Sequence, residues 1–183
     1  MFMHKKDVWM LAALLLCVAL LPRAIGAAGT GSGLGQPATP GDISAWNDDV
    51  SPSGNLPPGS GSVAQGQQIY AMQCAACHGD KGQGGPMDKL VGGVGSLDTK
   101  APVKTVGSYW PYATTFFDYV RRAMPFTAPG TLSNDQVYAV TAYVLYMNGI
   151  VPQNAVMNGK SLLTVRMPNH DNFLQKDPRP DAP

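Results

Sequence analysis

Short runs of helical periodicity, set between long stretches rich in glycine and proline, predict an all-α domain. An extended irregular N-terminal arm precedes it and a C-terminal tail follows it. Three observations carry this reading. Apolar residues recur at helical spacing in three segments. The last segment opens with a capping box, Ser133 with Gln136, in which each side chain satisfies a backbone N–H at the helix start. The chain holds 21 glycines and 16 prolines while only 14% of its residues are charged, as expected where few helices are joined by long loops.

Taken in order, residues 1–27 read as an export signal. His4, Lys5 and Lys6 give a basic start, Val8 to Leu21 is apolar, Pro22 breaks the run, and Ala24, Gly26, Ala27 and Ala28 offer small residues for cleavage. The apolar run falls short of the roughly 20 residues that cross a bilayer, so no stable membrane insertion is expected after cleavage. Residues 28–62 form the irregular arm, in which Trp46 is the lone large aromatic. A first helix is predicted from Val63 to Ala76, with Gly66, Ile69 and Tyr70 on one side. The glycine-rich stretch from Gly79 to Lys100 reads as loop. A second helix, Thr114 to Arg122, carries Phe116, Phe117 and Val120 and stops before Met124-Pro125, because the residue ahead of a proline resists helical geometry. The closing helix presents Val137, Val140, Tyr143, Val144 and Met147 and ends at Asn148-Gly149. The domain therefore spans 63–149, and 150–183 is a polar, proline-punctuated extension. Net charge is +1, and falls close to neutral without the signal, so nothing points to nucleic acid as a partner.

The chemistry lies in the cysteines. Of three in the chain, Cys17 falls inside the export signal, leaving Cys74 and Cys77. An isolated pair in an exported protein can be a disulfide or a redox dithiol. His78 directly after it changes the reading: Cys74-Ala75-Ala76-Cys77-His78 is the attachment signature of c-type haem. Two thiols at this spacing reach the two vinyl groups of one porphyrin, and the histidine then meets the iron from the same side. No second cysteine or histidine cluster completes a four-ligand zinc site. The other ring nitrogen of His78 needs a partner to fix its tautomer, and Pro86, after Gly82-Gln83-Gly84-Gly85, is placed to offer a backbone carbonyl.

For the opposite face of the iron, His170 is the spare histidine, in a polar tail, while methionines are plentiful. Met124 and Met167 both precede proline, which stiffens a loop that must carry the sulfur. Met124 is the better placed, between two helices, whereas Met167 lies in the tail. His/Met ligation fills both axial positions and favours electron transfer over oxygen chemistry. Tyr109, Trp110 and Tyr112 cluster ahead of the second helix. Trp110 is the first candidate to meet a haem propionate, and Arg121 and Arg122 face a propionate, an acidic partner or solvent.

The order of first helix, Cys74-Ala-Ala-Cys-His78, Pro86, Met124 and closing helix resembles a class I cytochrome c. Three longer stretches narrow the resemblance: TPGDISAWNDDVSPSGNLPPGSGSVAQGQQIY in the arm, KTVGSYWPYATTFFDYVRRAMPF from Lys104, and NGIVPQNAVMNGKSLLTVRMPNHDNF after the last helix. They are similar to the cytochrome subunit of bacterial sulfane and sulfite dehydrogenases. That resemblance implies the class I fold, Met124 as distal ligand, periplasmic residence, and a molybdenum-cofactor partner that oxidises the sulfur compound. It also implies a downstream cytochrome or other acceptor. The chain itself is then an electron-transfer subunit with one haem and no turnover of its own. The rival readings are a freely diffusing carrier for several dehydrogenases and a haem enzyme acting directly on a sulfur compound.

Overall fold

A computed structural model describes residues 35–46 and 49–173. The segment predicted as an export signal, residues 1–27, and the last ten residues, 174–183, lie outside the described residues. The chain divides into two units, Met1–Asp42 and Ile43–Pro183, and the functional site is contained in the second. In the described part of the arm, the Thr39 backbone and hydroxyl donate to Asp42 at 2.9 and 2.7 Å, and this cap opens a short helix, α1 (Pro40–Trp46).

Two helices form the frame. Helix α2 (Val63–Gln73) and helix α5 (Asn134–Met147) each start with a complete capping box, Ser62/Gln65 and Ser133/Gln136. They pack at Gly66: a Cβ added there would stand 1.9 Å from the Ala139 carbonyl oxygen, so only glycine permits this approach. Tyr70 and Tyr143 then meet across the crossing with tilted rings, 5.4 Å between centroids. The stripe predicted for α5 proves too narrow. Tyr138, Ala139, Thr141, Ala142 and Leu145 are buried alongside Val137, Val140 and Val144, because α5 is covered on more than one side.

The predicted first helix does not run through to Ala76. It breaks at Cys74, whose φ/ψ of −124°/−36° leaves the helical region, and a separate turn, α3 (Ala75–His78), carries the rest of the motif. Helix α4 (Ala113–Ala123) buries Phe116, Phe117 and Val120 and ends at Met124, ahead of Pro125. Phe117 meets Tyr138 of α5 at 4.4 Å.

The flanking segments are less irregular than predicted, and the fold is not purely helical. Strand β1 (Ser60–Ser62), from the arm, pairs antiparallel with β2 (Val156–Asn158), from the extension, in register Gly61 with Met157. Val50 from the arm and Met157, Leu162 and Met167 from the extension enter the same hydrophobic cluster as α2, α4 and α5. Val50 N–H donates to buried Asp118 of α4 at 3.0 Å, and the Thr114 hydroxyl donates to the Pro52 carbonyl at 3.2 Å. Two 3₁₀ turns, Leu162–Thr164 and His170–Asn172, complete the extension. Among the described residues no helix is long and apolar enough to cross a membrane.

Candidate functional site

The motif residues are held by the end of α2 and by α3. Cys74 N–H donates to the Tyr70 carbonyl at 2.9 Å, and His78 N–H to the Cys74 carbonyl at 3.0 Å. Cys74 and Cys77 are free thiols, half-buried and not joined to each other. Burial pushes the Cys74 thiol up to about 11, with the adjacent Cys77 adding to the rise. The thiol is therefore neutral at physiological pH. Burial likewise pushes the Tyr70 hydroxyl up to about 12, with Cys74, Tyr143 and Asp80 contributing, and that hydroxyl donates to the Gly79 carbonyl at 2.9 Å.

His78 Nδ1 lies 2.7 Å from the Asp88 carbonyl oxygen. A carbonyl only accepts, so Nδ1 carries the proton and Nε2 presents its lone pair. The carbonyl that the sequence reading expected from Pro86 is thus supplied two residues later. Pro86 itself is exposed. Met87 N–H is tied to the Cys77 carbonyl at 3.0 Å, and this bond turns the chain so that the Asp88 oxygen, not the Pro86 oxygen, reaches the ring.

Cys74, Cys77 and His78 open onto a largely apolar cavity of about 640 Å³, and Met124 lines the same cavity from the far end of α4. Trp110 also lines it, with its ring edge-on to Phe116 at 5.9 Å and to Tyr119 at 5.7 Å. Lys104 lines the cavity too and stands over the Tyr109 ring at 5.0 Å. The runner-up methionine, Met167, is 1% exposed and belongs to the packed core, away from the cavity lining. His170 is likewise absent from that lining: its ring meets Tyr112 edge-on at 5.2 Å and Nδ1 meets the Asp171 carboxylate at 2.7 Å. Arg122 turns to Asp118, with both carboxylate oxygens 3.0 Å from Nε. Met87 rims the cavity beside Asp88, a position that no sequence signal marked.

These residues fit a covalently held haem. The cavity lies within the size range of cofactor sites, its walls are mainly apolar, two reduced thiols stand at the attachment spacing, and an imidazole with its outer nitrogen satisfied faces the same space as a methionine.

Comparison with known proteins agrees. Residues 61–144 match the family model for cytochrome c oxidase, cbb3-type, subunit III. The fold matches the crystal structure of the sulfane dehydrogenase SoxCD from Paracoccus pantotrophus with a TM-score of 0.72 and 48% identity, over 80% of this chain and 73% of that one. A thiosulfate dehydrogenase from Stutzerimonas stutzeri (strain A1501) is 33% identical over 93 residues, which are 48% of this chain and 28% of that protein. The chain thus spans less than a third of this curated relative. Fold and comparisons together define an electron-transferring protein with covalently bound haem c. The chain belongs to the class I cytochromes c and resembles, within them, the cytochrome subunit of the bacterial sulfane and sulfite dehydrogenases.

Proposed function

We propose that this chain is an exported, mono-haem electron carrier. It accepts electrons one at a time from a molybdenum-containing sulfite or sulfane dehydrogenase subunit and passes them to a downstream carrier in the periplasm. The observation that carries this reading is the 48% identity to the SoxCD structure over 73% of that chain. Residues 1–27 serve as the export signal, with cleavage between Gly26 and Ala28.

In this reading Cys74 and Cys77 would hold the haem through thioether links, and His78 Nε2 and the Met124 sulfur would be its iron ligands. The bound haem supplies a one-electron couple in which no substrate atom is gained or lost. The protein's own residues shape that couple. The Asp88 carbonyl holds the His78 Nδ1 proton at 2.7 Å and so increases the basicity of the coordinating nitrogen. Val120, Val140 and Val144 wall the cavity and exclude water, which keeps the surroundings alike in both charge states. Trp110 closes one side, and Lys104 offers a positive charge at the cavity for a propionate. With His78 and Met124 both engaged as ligands, no position would be left for a substrate, and the chain alone would turn none over.

The test follows haem absorbance of the ferric holoprotein after sulfite or thiosulfate is added, with and without the candidate molybdenum subunit. Reduction only with that subunit is expected. Rapid reduction by the sulfur compound alone would place chemistry at this haem and end the carrier reading. No reduction under either condition would break the link to sulfur oxidation.

A further inference from the structure

The Asp88 carbonyl that meets His78 comes from a stretch with no helix or strand of its own, residues 79–112. Something must hold that oxygen in line with Nδ1. Leu90 N–H and Val91 N–H both donate to the Gly82 carbonyl, at 2.9 and 3.0 Å, but these bonds join the loop only to itself. Ahead of Asp88 the chain is tied to α3 by Met87 N–H on the Cys77 carbonyl at 3.0 Å, and after it the tie is Asn148, at the C-terminal end of α5. Its Nδ2 donates to the Leu90 carbonyl at 3.1 Å and to the Val144 carbonyl at 2.9 Å, and its Oδ1 accepts from Gly92 N–H at 3.2 Å. The Thr105 hydroxyl fixes the next group along, donating to the Gly92 carbonyl at 2.6 Å. The amide is closed in from behind: a Cβ added at Gly107 would stand 2.2 Å from Asn148 Oδ1.

We propose that Asn148 is a positioning residue for the haem couple, clamping the 88–92 peptide to α5 so that the Asp88 carbonyl stays hydrogen-bonded to His78. The proposal rests on the reading of His78 as the iron ligand. The physical case is one of matched chemistry. A carboxamide carries a donor and an acceptor on one short, rigid group, and here it addresses a C=O and an N–H two residues apart, as a neighbouring strand would. The same amide also gives a second donor to the Val144 carbonyl of the last turn of α5, which already accepts Asn148 N–H at 3.2 Å. Loop and helix therefore share one anchor. While the clamp is closed, the His78–Asp88 bond is short and the imidazole is electron-rich, which favours the ferric state and lowers the potential. When it is open, the carbonyl wanders from Nδ1, the imidazole becomes a poorer donor, and the potential rises.

A plain helix-ending role predicts something different. The left-handed residue that ends α5 is Gly149, at φ 70°, and Asn148→Gly leaves it in place, so the stop is preserved while the clamp is removed. Asn148→Asp keeps the acceptor for Gly92 but sets a carboxylate against the Leu90 and Val144 carbonyl oxygens. The experiment measures, on the holoproteins, the midpoint potential against a fixed mediator and the solvent exchange of the iron-shifted His78 Nδ1 proton by NMR.

Both variants are expected to shift the electron-exchange equilibrium toward the ferrous form by about tenfold, about 59 mV for one electron, and to speed proton exchange by a similar factor. An unmoved potential and unmoved exchange in both would overturn the clamp. Absence of any iron-shifted His78 proton in the unmodified protein would overturn the ligand reading and the clamp with it. If neither variant accumulates as holoprotein, Thr105→Val, which frees the Gly92 carbonyl and also removes the Thr105 bonds to Ser108 but leaves Asn148 in place, is judged by the same two readouts. It is expected to move both in the same direction by less, and no movement would overturn the clamp.

Discussion

At the residue scale, Tyr70 shows how a single hydroxyl joins the frame to the haem motif. It is buried at the α2–α5 crossing, and its O–H reaches the Gly79 carbonyl, one residue beyond His78. Its folded value of about 12 stands above the ordinary 10.0. Between those two pH values the folded chain retains a proton that the unfolded chain has lost, so stability falls as pH rises through that window and levels off above it. Tyr70→Phe is therefore expected to cost about 1 kcal/mol at neutral pH through the lost hydrogen bond. It should also flatten the decline that the tyrosine causes between pH 10 and 12. Urea titrations across that range would detect both effects. An unchanged slope in the variant would mean that Tyr70 is not the group responsible. Asp88 and Asn148 illustrate the same scale from the other side, since each acts through one polar group on a backbone segment.

At the scale of elements, the α2–α5 crossing decides where the haem motif points. Gly66 lets the two backbones touch, and the ridge beyond it is filled by Tyr70 and Tyr143. Because the obstruction to a side chain there is a main-chain carbonyl, it cannot turn aside as a flexible side chain would. Gly66→Ala should destabilise the protein by about 2–3 kcal/mol as the helices are forced apart. A denaturation midpoint equal to that of the unmodified holoprotein would show that the crossing can yield. Helix α4 performs the complementary task, ending at Pro125 so that Met124 leaves the helix beside the cavity. The arm grips this helix at two of its buried positions, Thr114 and Asp118.

At the scale of the whole molecule, the extension completes the core. Met157, Leu162 and Met167 are 5%, 1% and 1% exposed, in the cluster that contains α4 and α5. Each such side chain contributes about 1.5–3 kcal/mol on burial, against a total of about 5–15 kcal/mol for a typical domain. A chain ended after Gly149 also loses the partner strand of β1. It is expected to lose most of its stability, read as a large fall in the urea midpoint and rapid proteolysis of the holoprotein. Survival of the truncated chain with an unchanged midpoint would show instead that the haem domain stands without its extension.

Sequence alone determined what depends on neighbours along the chain. The haem motif is legible because the porphyrin demands Cys74, Cys77 and His78 at one spacing. The two capping boxes depend on residues three apart, although only the one at Ser133 was picked out beforehand. The end of α4 follows from Pro125, and the longer strings carried the family. Tertiary structure decided the rest. The β1–β2 pairing joins segments almost a hundred residues apart, and three-residue strands have no periodicity to announce them. Which carbonyl meets His78 depends on how a glycine-rich loop is turned, and the partners that hold the loop, Cys77 and Asn148, lie on other elements. Burial around α5 exceeded its predicted stripe since arm, extension and two helices all pack on it. Local covalent and capping geometry is written in adjacent residues; long-range pairing is a property of the packed whole.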